Sequence, residues 1–306
     1  MIRRTQTIFV TLDPFLSLHG AVLHHFDQFL AGLDEQEFPC IWLTGLTRAQ
    51  LDEPRRRLGH NDPFIGESGC GVYLPEDYFH LKSGNTIRLG RFTCIPVAKP
   101  QPAAAEALEE LATDLDIAAV SLRSLSPREL VQNTGLPASE ADQIRMRDFD
   151  ELFFFAGATE SGIAKFATEA AVRGLNLQNL GTFWSLSCGA DYAKCIRELG
   201  ALYDRALRYH AFRVGVGVDS PASTSETATR ETRIKALAAS CDRTLLLSGR
   251  QSSGHVAGAT EADDDLAEPA ESIHVVNAAQ QSRPQNVFHL RSPDVWESVL
   301  AAILSR

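Results

Sequence analysis

The chain has 306 residues, 44% of them apolar and 22% charged, and a formal net charge of −10. These are the proportions of a globular protein with a real core, in one large domain or two modest ones, and they exclude wholesale disorder, collagen and coiled coil. The acidic balance argues against nucleic-acid and anionic-membrane partners, and no apolar run approaches the ~20 residues that span a bilayer.

The start, MIRRTQTIFVTLDPF, is basic, but its apolar stretch is too short for a signal peptide, so a cytoplasmic protein is expected. Cys40, Cys70, Cys94, Cys188, Cys195 and Cys241 are scattered, with no pair at zinc spacing. They read as reduced, mostly buried thiols.

Ile8-Phe9-Val10 predicts a buried first strand that delivers Thr11 and Asp13 before Pro14 ends regular pairing. Residues 20–33 carry helical apolar spacing. Residues 39–43 predict a second buried strand, with Thr44 after it and Thr47 placed to cap a helix reaching Leu58. Phe64-Ile65-Gly66 leads into Glu67-Ser68-Gly69, and Val72-Tyr73-Leu74 reads as a strand or hairpin arm. Alternating strands and helices predict a parallel sheet whose carboxyl ends face a ligand.

The middle of the chain lacks that rhythm. Helices over 103–115, from Pro127, over 137–146 and over 162–173 are interleaved with strands at 151–155 and 182–186. This predicts an inserted α+β cap domain over 84–187, with the core built from 1–83 and 188–306. The α/β rhythm then returns: a long helix over 191–210, a strand over 212–218 ending at Asp219, a helix over 231–240 and a strand over 243–247. Residues 251–272 are polar and acidic and read as a flexible loop. Residues 293–304 form an amphipathic helix. Gly215 and Gly217 lie inside a strand and so do not form a dinucleotide fingerprint.

Several segments, in order, resemble the haloacid dehalogenase superfamily, and within it the mannosyl-3-phosphoglycerate phosphatase family. They are TLDPFL at 11–16, TGLTRA at 44–49, ESGCGVYLPEDYF at 67–79, RDFDELF at 147–153, GTFWSL at 181–186 and CGADYAK at 188–194. The resemblance implies a doubly wound parallel-sheet core with an inserted cap, an aspartate nucleophile ending strand one, an acid/base aspartate two residues on, a phosphate-binding hydroxyl, a lysine and bound Mg2+.

Carried over residue by residue, the nucleophile position is Thr11 and the acid/base position is Asp13. Thr44 matches the phosphate-binding hydroxyl, although Thr44 and Thr47 read equally well as helix caps. The key lysine falls on Tyr192 or Ala190, which leaves Lys194 as a displaced candidate or a plain surface lysine. Glu67, Ser68, Arg147 and Thr182 fall at substrate or cap positions, Glu67 reading equally as a solvated loop charge. Asp13 and Asp219 are the carboxylates left for Mg2+, a weak or absent site.

A threonine hydroxyl is not ionised near neutrality and ligates Mg2+ poorly. The expected function is therefore a catalytically degenerate relative. It would keep a cleft for a phosphorylated small molecule or anion, or act through a protein partner. The competing expectation is an Mg2+-dependent phosphohydrolase of a phosphorylated sugar or glycerate that works through Asp13 and Asp219.

Overall fold

The computed structural model describes residues 5–12, 26–79, 84–181, 183–219, 227–249, 271–276, 285–290 and 295–305. Asp13 and Thr182 lie outside them, as do residues 251–270 of the expected acidic loop.

The central sheet is built around β1 (Gln6–Thr11), β2 (Cys40–Leu43), β3 (Phe64–Gly66), β11 (Phe212–Asp219) and β12 (Arg243–Gly249). These run parallel in the order β12-β11-β1-β2-β3. Every residue of β1 is buried, as expected for a strand covered on both faces, which reads as one apolar run rather than an alternation. Alternate residues still serve opposite faces. Ile8 and Val10 pack with α1 (Phe26–Asp34) and α9 (Val295–Leu304), where Phe26 and Phe29 meet the Trp296 ring at 4.6 and 4.8 Å. Phe9 packs on the other face, with α7 (Tyr192–Leu207) and α8 (Thr227–Ser240). Gly215 and Gly217 let α8 come close: a Cβ at 215 would stand 3.1 Å from Leu237.

Antiparallel strands extend the sheet at both sides. β4 (Gly71–Pro75), β6 (Phe92–Pro96) and β5 (Ile87–Leu89) follow β3, while β13 (Glu271–Val276) and β14 (Gln285–Leu290) follow β12. Two sequence-based boundaries change. Residues 87–96 belong to the large sheet, so the module expected from residue 84 starts only after Pro96. The acidic stretch expected to run to 272 gives way at Glu271 to β13, paired antiparallel with β12.

The inserted module is a second sheet, in the order β7 (Ala119–Ser121), β8 (Glu151–Phe155), β10 (Trp184–Ser187), β9 (Asn176–Asn179). Helices α3 (Gln101–Leu115) and α6 (Glu160–Val172) cover one face through Phe153, Phe166 and Leu186. On the other face, α4 (Pro127–Thr134) and α5 (Ala138–Ile144) pack on Leu152. Phe153 and Leu152 are successive residues of one strand and therefore face opposite ways.

At the amino end of the large sheet a buried histidine is held neutral. The His60 ring stacks on Trp42 at 3.8 Å, Nε2 donates to the Cys40 carbonyl at 2.6 Å, and Nδ1 accepts from Arg55 at 2.9 Å. Burial, and then the Arg55 charge, lower its pKa to about 3. Between about 6.5 and about 3 the unfolded chain binds the proton that folded His60 refuses. The His60 contribution to stability should therefore fall by about 1.4 kcal/mol per pH unit across that window as the pH drops. Urea midpoints at pH 7, 5 and 4 measure this. His60→Gln keeps one donor and one acceptor without a titrating group, so the wild-type midpoint should lose ground against the variant's as the pH drops through this window; a difference between the two that stays constant would contradict the assignment.

Candidate functional site

Three expected residues stand at the carboxyl ends of adjacent parallel strands. Thr11 closes β1, Thr44 follows β2, and Asp219 closes β11, paired with Ser248 of β12. In open α/β sheets this end is where ligands bind. Thr11 is 2% exposed, and its hydroxyl donates to the Val216 carbonyl at 3.5 Å. Thr44 is fully buried; its Oγ1 accepts the Leu46 N–H at 3.0 Å, and its carbonyl accepts the Ser68 N–H.

Thr47 is the cap of α2 (Arg48–Arg57). Its hydroxyl accepts from Gln50 N–H, Gln50 answers by accepting Thr47 N–H, and the same hydroxyl donates to the Gln143 carbonyl at 3.1 Å. This reciprocal cap satisfies two donors at the helix start. Lys194 is exposed in the first turn of α7, its amide held by the helix-capping Asp191 carboxylate at 2.9 Å.

Glu67-Ser68-Gly69 make a tight turn with φ of +47°, +59° and +91°. Left-handed backbone at two successive non-glycine residues costs ~1–3 kcal/mol each. Backbone bonds offset this: Glu67 N–H to Leu46 O, Ser68 N–H to Thr44 O, and Asp191 N–H to Gly69 O. Gly69 has no alternative, because a Cβ there would lie 2.8 Å from the Tyr192 nitrogen. The turn thus ties together the loop after β2 and the start of α7.

The reading of Glu67 as a solvated loop charge is overturned, since the side chain is fully buried. Its carboxyl accepts the N–H groups of Asp148, Phe149 and Asp150 at 2.9, 2.8 and 3.4 Å, and the Tyr73 hydroxyl at 3.1 Å. Arg147 is buried too, its side chain 4% exposed. Both its terminal nitrogens donate to the Gly45 carbonyl, at 3.0 and 2.9 Å, and one also reaches both Asp150 oxygens at 3.0 Å. Ser185 of β10 donates to Asp150 at 2.6 Å, and Arg48 pairs with Asp148 at 2.9 Å. The Ser68 hydroxyl, 2% exposed, has no partner among the described residues.

Glu67 and Arg147 therefore join the module to the core loops. Sequence reasoning missed Asp150, Asp148, Arg48 and Ser185, although each lay in a segment already singled out. The available signal was the R-D-F-D run at 147–150, with two acids beside one arginine just before an apolar strand.

Burial raises the pKa of Glu67 to about 8, aided by the Asp150 charge and opposed by Arg147 and the donated N–H groups. Asp150 is also raised by burial, with Arg147 and Ser185 pulling the other way.

Mg2+ asks for several oxygens, mostly carboxylate, in good geometry. The β1 end supplies a neutral hydroxyl that already donates to Val216 O. Among the described residues no group of three or more His, Cys, Asp or Glu could hold a metal ion. Asp13, one of the two carboxylates expected to hold Mg2+, lies outside the described residues. All six cysteines are free, five buried and Cys188 half-buried. No helix among the described residues is long and apolar enough to cross a membrane.

No family model matches the chain. A glucosyl-3-phosphoglycerate/mannosyl-3-phosphoglycerate phosphatase of Methanococcoides burtonii is 26% identical over 196 residues, 62% of this chain and 72% of that protein. A mannosyl-3-phosphoglycerate phosphatase of Pyrococcus furiosus is 22% identical over 208 residues, 66% of this chain and 83% of that one. Among solved structures, a haloacid dehalogenase-like hydrolase from Bacteroides thetaiotaomicron aligns with a TM-score of 0.46 at 13% identity, covering 79% of this chain and 94% of that chain.

Proposed function

We propose that this chain, a distant member of the mannosyl-3-phosphoglycerate phosphatase family of the haloacid dehalogenase superfamily, binds a phosphorylated small molecule at the carboxyl ends of its parallel strands without efficient hydrolysis. The observation that carries this is Thr11. It occupies the end of β1, where phosphoryl transfer through a covalent intermediate needs an ionised oxygen. Its hydroxyl donates to a backbone carbonyl, which is not a base and cannot withdraw the proton at neutral pH.

The same substitution favours binding an anion. A carboxylate at position 11 would repel a phosphate; a hydroxyl does not, and at close range in a partly dry cleft the difference reaches about 1–4 kcal/mol. Thr44 keeps a hydroxyl at the end of β2, with Leu46 N–H holding its oxygen in place. The names of the relatives point to a glycerate-phosphate or glycosyl-glycerate-phosphate ligand class. That they are phosphatases also supports the competing reading from the sequence, an Mg2+-dependent hydrolase relying on Asp13 and Asp219.

Thermal shift with inorganic phosphate, 3-phosphoglycerate and sugar phosphates tests binding. At about a hundred times Kd, a ligand stabilises by about 2.7 kcal/mol, so a clear rise in Tm is expected for at least one of them. Thr44→Val removes the hydroxyl at nearly constant volume and should abolish that rise, whatever its effect on baseline stability. Null shifts with every anion would remove the ligand-binding reading and favour a protein partner.

A further inference from the structure

Module and core meet around one buried group of charges. From the core come Glu67, the Gly45 carbonyl, Tyr73 of β4 and Arg48 of α2; from the module come Arg147, Asp148, Asp150 and Ser185. Cys70, beside both carboxyls, has its own pKa raised by burial first and then by their charges. Glu67 and Asp150 are both fully buried and hydrogen-bond each other through their side chains, and the guanidinium paired with Asp150 is that of Arg147, its side chain 4% exposed. Asp148 is matched separately by Arg48.

Two carboxylates facing one cation would leave a net negative charge out of water, which is far more costly than holding a proton. Geometry assigns the proton. Asp150 accepts from Arg147 through both oxygens and from Ser185, so it is the ionised partner. Glu67, which accepts only from backbone amides and a tyrosine hydroxyl, is the protonated one.

We propose that Glu67 and Asp150, sharing one proton beside Arg147, form a proton-dependent latch that holds the inserted module against the loops after β2 and β3. Separating module from core returns both carboxyls to water, where they ionise in the usual range. Opening therefore releases a proton between about pH 4.5, the ordinary value, and about 8, the value for Glu67 in the closed protein. The closed form binds more protons across that window, so closure is strongest at its acid end and weakens as the pH rises. Above about 8 both forms are ionised and the dependence stops. This latch is independent of any ligand in the strand-end cleft.

Hydrogen exchange of the amides of 148, 149 and 150, the donors to Glu67, tests the latch in the full-length protein. Their protection factors, corrected for intrinsic exchange, should fall by up to about tenfold per pH unit between pH 5 and 8. Glu67→Gln keeps an acceptor for these amides and an NH2 that can donate to Asp150, with nothing to titrate. It should show flat protection, equal to or above wild type at pH 8. Asp150→Asn removes the charge facing Glu67 and should move the falling limb to lower pH, which keeps the idea testable if the glutamine variant fails to fold. Amides of β1 report global unfolding and should stay better protected than those of 148–150 at every pH, because the junction opens without the core. Flat wild-type protection, an unchanged slope in Glu67→Gln, or protection at 148–150 as high as in β1 would each overturn the proposal.

Discussion

Purified protein given Mg2+ and a generic phosphate monoester should show no turnover above background and trap no covalent phosphoenzyme. Groups that act as one catalytic unit fail together, and losing such a unit costs on the order of 10⁶ in kcat. By the sequence resemblance, Thr11 falls at the nucleophile position and Tyr192 or Ala190 at the lysine position. The Tyr192 hydroxyl accepts from Arg233 Nε at 3.2 Å, and both side chains are buried; neither position holds a lysine. A phosphate-release assay run beside the Methanococcoides relative measures the gap. A robust metal-dependent rate lost in Asp13→Asn would refute the degenerate reading and support hydrolysis built on the surviving acid. Thr11→Asp alone should restore little, because the lysine position stays empty.

Arg147→Met should be the most damaging single change to stability away from the apolar core. It strands the buried Asp150 carboxylate and the Gly45 carbonyl together. Removing one partner of a buried ion pair typically costs about 3–5 kcal/mol, read as a lower urea midpoint with the slope little changed. Asp150→Asn on the Arg147→Met background should cost far less than it does alone, since the charge it deletes has already lost its partner. Arg173, whose ion pairs with Asp114 and Glu169 lie in solvent, is the control and should hardly move the midpoint. Equal effects at Arg147 and Arg173 would mean that the junction is wetter than its burial indicates.

Most helices and strands were legible because each carries a local signature. β1 and β2 are continuous apolar runs, α2 has its Thr47 and Gln50 cap, and α7 has Asp191 at its start. What escaped is what lacks local contrast. β5 has two exposed residues out of three, so no alternation marks it, and only its pairing with β6 places it in the large sheet. Glu271 and Ser272 of β13 end an acidic stretch whose composition suggests loop. Strand pairing supplies a backbone ladder that composition does not record.

That the residue ending β1 is a threonine needs no structure to be known: Thr11 is a hydroxyl in any fold, and no packing turns it into a carboxylate. The order of strand ends that sets Thr11, Thr44 and Asp219 side by side was likewise readable, since the α/β alternation implies parallel strands. The fate of Glu67 was decided only in three dimensions. Whether a glutamate is ionised depends on the dielectric and the donors around it. Here those are the amides of 148–150 and the charge of Asp150, some eighty positions away in the chain. A one-dimensional pattern places a carboxyl in a loop; only the packed chain shows that the loop is buried, and burial determines where the proton goes.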